Sequence, residues 1–150
     1  MRTNAALRRA LLAAAITAGL AGCSMMPMSK DRVGFGATLS GAAEVPPNGS
    51  AGSGNARMEL DKSSNVLRWT VSYAGLTGPA TAGHIHGPAL PGQNAGVIVP
   101  FKGGVASPIQ GEATLTPEQV ADLMAGRWYV NLHTAANPGG EIRGQLTPMP

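Results

Sequence analysis

"NARMELDKSSNVLRWTVSYAGL", residues 55–76, decides how this chain folds. Its first arm alternates Ala56, Met58 and Leu60 with Arg57, Glu59 and Asp61. Its second arm places Leu67, Trp69, Val71 and Tyr73 on one face. A hydrophobic period of two belongs to a half-buried strand, because successive side chains point to opposite sides. "SSN", residues 63–65, supplies turn residues between the arms, so the stretch reads as a β-hairpin.

The same reading extends in both directions. "VGFGATLSG" at 33–41 is a first strand, and "EVPPNGSAGSG" at 44–54 is a loop rich in glycine and proline. Downstream, "AGHIHG" at 82–87, the apolar "AGVIVPF" at 95–101 and "GEATL" at 111–115 are further short strands. "RWYVNLHT" at 127–134 and "EIRGQLTP" at 141–148 form two more, joined by the turn "AANPGG". One helix interrupts them, near 117–125. Thr116 is its N-cap, Pro117 stands at N1, and Gln119 at N3 completes a capping box. Val120, Leu123 and Met124 form its apolar stripe, and Gly126 ends it. Many short strands with close-set turns imply an all-β domain, a Greek-key β-sandwich or barrel.

The beginning of the chain carries a different signal. Arg2, Arg8 and Arg9 precede an apolar run from Ala10 to Leu20, then "LAGC". This is a secretory signal pattern, too short and alanine-rich for a good membrane span. "LAGC" resembles a lipoprotein lipobox, which implies lipidation at Cys23. Ser24 after it favours the outer membrane. The expected organisation is a signal peptide at 1–22, a tether at 23–32 and one domain at 33–150. Met25, Met26 and Met28 in the tether offer thioethers to Cu(I), although a plain linker near the bilayer is the simpler reading. The expected location is the cell envelope, on its periplasmic or extracellular face, with the membrane as partner through the lipid.

Removing the signal also removes the charge. Without those three arginines the 11 basic residues fall to 8, equal to the 8 acidic ones. A neutral domain has no basic footprint for nucleic acid. Cys23 is the only cysteine, so the folded part holds no disulfide.

The three histidines carry the chemistry. His84 and His86 share one face of their strand, with Ile85 opposite. Residues two apart on a strand lie about 6.6–7 Å apart at Cα, which suits two imidazoles converging on one ion. In "YVNLHT", Tyr129, Asn131 and His133 share a face, while Trp128, Val130 and Leu132 turn to the core. All three histidines therefore sit near strand ends. Three imidazoles without a thiolate suit copper, zinc or nickel, and an extracytoplasmic site favours copper. The alternative is that they only brace loops. Glu44 is a candidate to brace a loop or accept a proton from a ligand imidazole. Asn131 is a candidate to orient His133. Glu141 and Arg143 share a face and are expected to pair, as a surface salt bridge at most.

Four motifs, "ATLSGAAEVPP", "GLTGPATAGHIHGPA", "AGVIV" and "LTPEQVADLMAGRWYVNLHTAANPGGEIRGQL", together resemble the CHRD domain, the module named after chordin. The likeness runs from about Gly36 to Leu146. In chordin such modules belong to an extracellular protein that binds growth factors, and bacterial members are secreted or lipid-anchored. A weaker resemblance, over "GNARMELDKSSNVLRWTVSYAGLTGPATAGHIHG" and "YVNLHT…PGGEIRGQL", is to Cu,Zn superoxide dismutase. It implies a dismutase-like fold, with an immunoglobulin-like sandwich as the alternative. It also implies copper ligands at His84, His86 and His133, and an anion-guiding role for Arg143. The dismutase bridging histidine, its zinc ligands and its disulfide have no counterpart here, so no zinc is expected. The expectation is a metal-binding envelope module and no catalytic residue, with two alternatives: a structural or adhesion module without metal, or a weak copper-only dismutase.

Overall fold

The computed structural model describes residues 31–150. The expected signal peptide, Cys23 and most of the expected tether, with its methionines, lie outside the described residues. Among the described residues nine strands and one α-helix follow in order: β1 Arg32–Ser40, β2 Ser53–Asp61, β3 Val66–Ala74, β4 Ala80–His86, β5 Val97–Pro100, β6 Ile109–Thr114, α1 Pro117–Met124, β7 Tyr129–Thr134, β8 Ile142–Gln145 and β9 Thr147–Pro148.

The hairpin of residues 55–76 is β2 and β3, in antiparallel register from Ser53↔Ala74 to Asp61↔Val66. Its connection is longer than "SSN" and runs from Lys62 to Asn65. Asp61 Oδ1 accepts from the Ser63 and Ser64 backbone N–H groups, and Asn65 takes a positive φ of 55°. Asparagine tolerates that left-handed conformation better than most residues. The inner face then buries Ala56, Met58, Leu60, Leu67, Trp69 and Val71.

All strands belong to one sheet in the order β5-β4-β7-β8-β1-β2-β3-β6, with β9 on β1. Neither β3–β4 nor β6–β7 joins neighbours, which is Greek-key wiring. The sheet curls into a nearly closed barrel, and this resolves the choice between sandwich and barrel. The open seam lies between β5 and β6. Across it the rings of Trp69 and Phe101 approach to 5.5 Å between centroids. Phe35, Leu39, Ile85, Val130, Leu132, Ile142 and Leu146 fill the interior from the other strands.

The helix has its full capping box. Gln119 N donates to Thr116 Oγ1, and Thr116 N donates to Gln119 Oε1. Leu123 is fully buried and Val120 partly so, but Met124 is exposed. The expected stripe is therefore narrower: a two-turn helix offers few inward positions, and here Leu123 takes the fully buried one. "EIRGQLTP" likewise divides into β8 and β9 at Leu146, which drops into the core.

Candidate metal centre

Strands β4 and β7 are neighbours, in register Ala82↔His133, His84↔Asn131 and His86↔Tyr129. Gly83, Ile85, Val130 and Leu132 point inward and are buried. Period two then fixes His84, His86 and His133 on the outer face of the same strand pair. His84 Nδ1 and His133 Nε2 are 3.1 Å apart. The nearest nitrogens of all three rings fall within 4.8 Å of one another.

Each outer ring is aimed by a backbone carbonyl. His86 Nδ1 donates to Ala95 O at 3.0 Å, and His133 Nδ1 donates to Pro138 O at 3.0 Å. A proton on Nδ1 leaves the lone pair on Nε2, and that tautomer is the ligand form. The His86 Nε2 is buried and has no partner. Burial pulls the His84 imidazole below its usual range, and His133 adds to the effect. Burial does the same at His86, reinforced by His84, His133 and Arg143 and opposed by the Ala95 carbonyl. Both rings are thus held neutral, as ligands must be.

Tyr129 lies beneath this group. Its ring stacks on His86, with centroids 4.9 Å apart and planes 3° from parallel. From β8, on the other side of β7, the Arg143 guanidinium sits 3.4 Å over the same ring. Tyr129 Oη accepts from Ala95 N at 3.1 Å. Arg143 Nη1 donates to Asn94 Oδ1 at 2.9 Å, and Nη2 donates to Gln93 O. Loop 87–96 is therefore fastened at Gln93, Asn94 and Ala95, beside the carbonyl that aims His86. Sequence periodicity places Tyr129 on this face. The loop carbonyls carry no side-chain signal and were not legible.

The other candidates take different partners from those expected. Glu141 and Arg143 do not pair, and both are buried. The Glu141 carboxylate accepts from Ser50 Oγ, Thr77 N, Thr77 Oγ1, Thr134 Oγ1 and Asn137 Nδ2. Burial pushes its pKa up, but the bonds from Thr134, Ser50 and Thr77 outweigh it and hold the group at about 2. Asn131 Nδ2 donates to both oxygens of Glu44, at 3.2 and 3.0 Å, rather than orienting His133. Glu44 bonds no imidazole: carbonyls take the Nδ1 atoms of His86 and His133, and that of His84 meets His133 Nε2. Burial pushes Glu44 up to about 7, against the Arg143 charge and hydrogen bonds from Asn131 and the Val45 N–H. The anion-guiding role that the dismutase resemblance implied for Arg143 does not fit these surroundings. Arg143 is 2% exposed, and Tyr129 and its strand stand between it and the histidines.

A nearly closed Greek-key barrel with three histidines on one outer strand pair defines the class of domain. The CHRD domain family model matches residues 35–146, and the chain belongs to that family. No curated protein and no solved structure matches it.

Proposed function

We propose that His84, His86 and His133 hold one copper ion through His84 Nδ1, His86 Nε2 and His133 Nε2. The module would then handle copper or protect against oxidants in the cell envelope, anchored through a lipid on Cys23. One observation carries the reading: His86 Nε2 is buried and unpartnered, and its ring belongs to a three-imidazole cluster in which His84 Nδ1 and His133 Nε2 are 3.1 Å apart. A buried acceptor without a partner costs about 1–3 kcal/mol. Two metal–nitrogen bonds of about 2 Å separate ligand atoms by about 4 Å at most. The 4.8 Å span of this set closes to that by small side-chain movements.

The donor set also fits. Three neutral imidazoles with no thiolate and no carboxylate among them suit copper. Bound copper supplies one-electron chemistry. The chain's own part is to aim the Nε2 lone pairs of His86 and His133, through Ala95 O and Pro138 O, and to hold the His84 and His86 rings neutral.

Titration of the apo protein with Cu(II) is expected to saturate at about one equivalent. His86→Ala is expected to weaken binding by about 100-fold or more, well beyond any loss of fold stability from its stacking on Tyr129 and its bond to Ala95 O. No saturable binding sinks the reading and leaves the metal-free structural module, in which the 3.1 Å contact is a plain His84–His133 hydrogen bond. Competition among Cu(I), Cu(II) and Zn(II) decides the metal.

A further inference from the structure

A second site lies on the far side of Arg143 from the histidines. Residues 42–47 and the loop at Pro91–Gly92 enclose a cavity of about 410 Å³, within the range of small-molecule pockets. Its walls are apolar, from Ala42, Ala43, Val45, Pro47 and Pro91. Two ionisable side chains also line it, Glu44 and Arg143, only 5% and 2% exposed.

These two charges are not an ion pair, since neither occurs among the contacts within 4 Å between described residues. Arg143 uses Nη1 on Asn94 and Nη2 on Gln93, two of the five N–H donors that a guanidinium carries. Glu44 accepts from Asn131 and the Val45 N–H, fewer than the four bonds that a carboxylate takes. Buried charges are normally paired. Here a cation and an anion stand apart on the wall of one apolar cavity.

We propose that this cavity binds a small zwitterion, an α-amino acid with an apolar side chain. Arg143 takes its carboxylate, Glu44 takes its ammonium, and the proline and alanine walls take its side chain. The wall charges select this class over simpler ones. A monocarboxylate places its charge beside Glu44, and a monoamine places its charge beside Arg143. Each costs a like-charge contact that a zwitterion avoids. Burial is what pushes the Glu44 pKa up, and an ammonium seated against the carboxylate would offset that cost of desolvation. The proposal does not depend on the histidine site.

The test is calorimetry on the metal-free full chain with valine, isobutyrate and isobutylamine as probes. Valine is expected to bind once per chain, and each analogue about tenfold more weakly or not at all, the size of one charge-assisted hydrogen bond. Glu44→Gln keeps the shape and the Asn131 contact, and is expected to weaken valine about tenfold while strengthening isobutyrate, whose like-charge contact it removes. Ala43→Trp, at an exposed rim position, leaves both charges in place and is expected to abolish binding by filling the cavity. Isobutyrate binding as tightly as valine overturns the zwitterion in favour of an anion site on Arg143. Failure of valine to bind, or equal binding by Glu44→Gln, overturns the proposal outright.

Discussion

The two halves of the barrel bury different things. In the half made of β1, β2, β3 and β6, the inner face is apolar and the outer face meets water. Strands β2 and β3 alternate buried and exposed almost without a break. Their outer charges form exposed pairs, Arg32–Glu59 at 2.8 Å and Arg68–Glu112 at 3.0 Å. In the half made of β4, β7 and β8, both faces are covered. Five of the six β7 residues are buried, as are Ile142, Arg143 and Gly144 of β8. Loops 41–52, 87–96 and 135–141 lie over the outer face and enclose Glu44, Asn131, Thr134, Glu141 and Arg143. The first half is held mainly by its core. The second half is held also by buried polar bonds, and it carries the histidines and the charged cavity.

That contrast is open to measurement. The largest effect is expected at Glu141, which ties Ser50, Thr77, Thr134 and Asn137 together. Glu141→Leu strands several buried donors, and is expected to lower unfolding free energy by about 3–5 kcal/mol in denaturant titration. A loss below about 1 kcal/mol removes the distinction between the halves. Gly140→Ala is next. Its φ is +137°, and an added Cβ falls 2.6 Å from Asn131 Nδ2 and 2.8 Å from Glu44 Oε1. A cost of about 1–3 kcal/mol is expected, together with disturbance at Glu44.

Smaller, and specific to the second half, is the dependence on pH. Glu141 is held below its unfolded value of 4.5, so its contribution is present above pH 4.5 and lost as pH falls towards 2. Glu44 is held above 4.5, at about 7, so its contribution is complete below pH 4.5 and lost as pH rises through 7. His84 and His86, depressed by burial, act the other way between these limits, because their contribution falls as pH drops below 6.5; denaturation midpoints across pH 2.5 to 8 read the sum. Glu44→Gln is expected to make stability rise more steeply with pH between 4.5 and 7 and to leave the acid limb intact. The smallest effect belongs to the first half. Glu59→Gln breaks an exposed ion pair and is expected to change stability by no more than about 0.5 kcal/mol.

The chain itself determined whatever depends on local period and short-range caps. The alternation in residues 55–76 gave the hairpin, and Thr116, Pro117 and Gln119 gave the helix start. The spacing of His84 and His86 and the parity of His133 put all three on outward positions. Those features need only the geometry of one strand or one helical turn. Tertiary structure alone decided that β4 lies beside β7, since the two strands come from distant parts of the chain and pair through a Greek-key crossover. It also decided the fate of the outer-face charges. The same alternation that exposes Glu59 on β2 points Arg143 outward on β8, and Glu141 precedes that strand. Only the loops folding over β7 and β8 make Arg143 and Glu141 buried groups with neutral partners. Burial is a property of what covers a face, and period two says only which face it is.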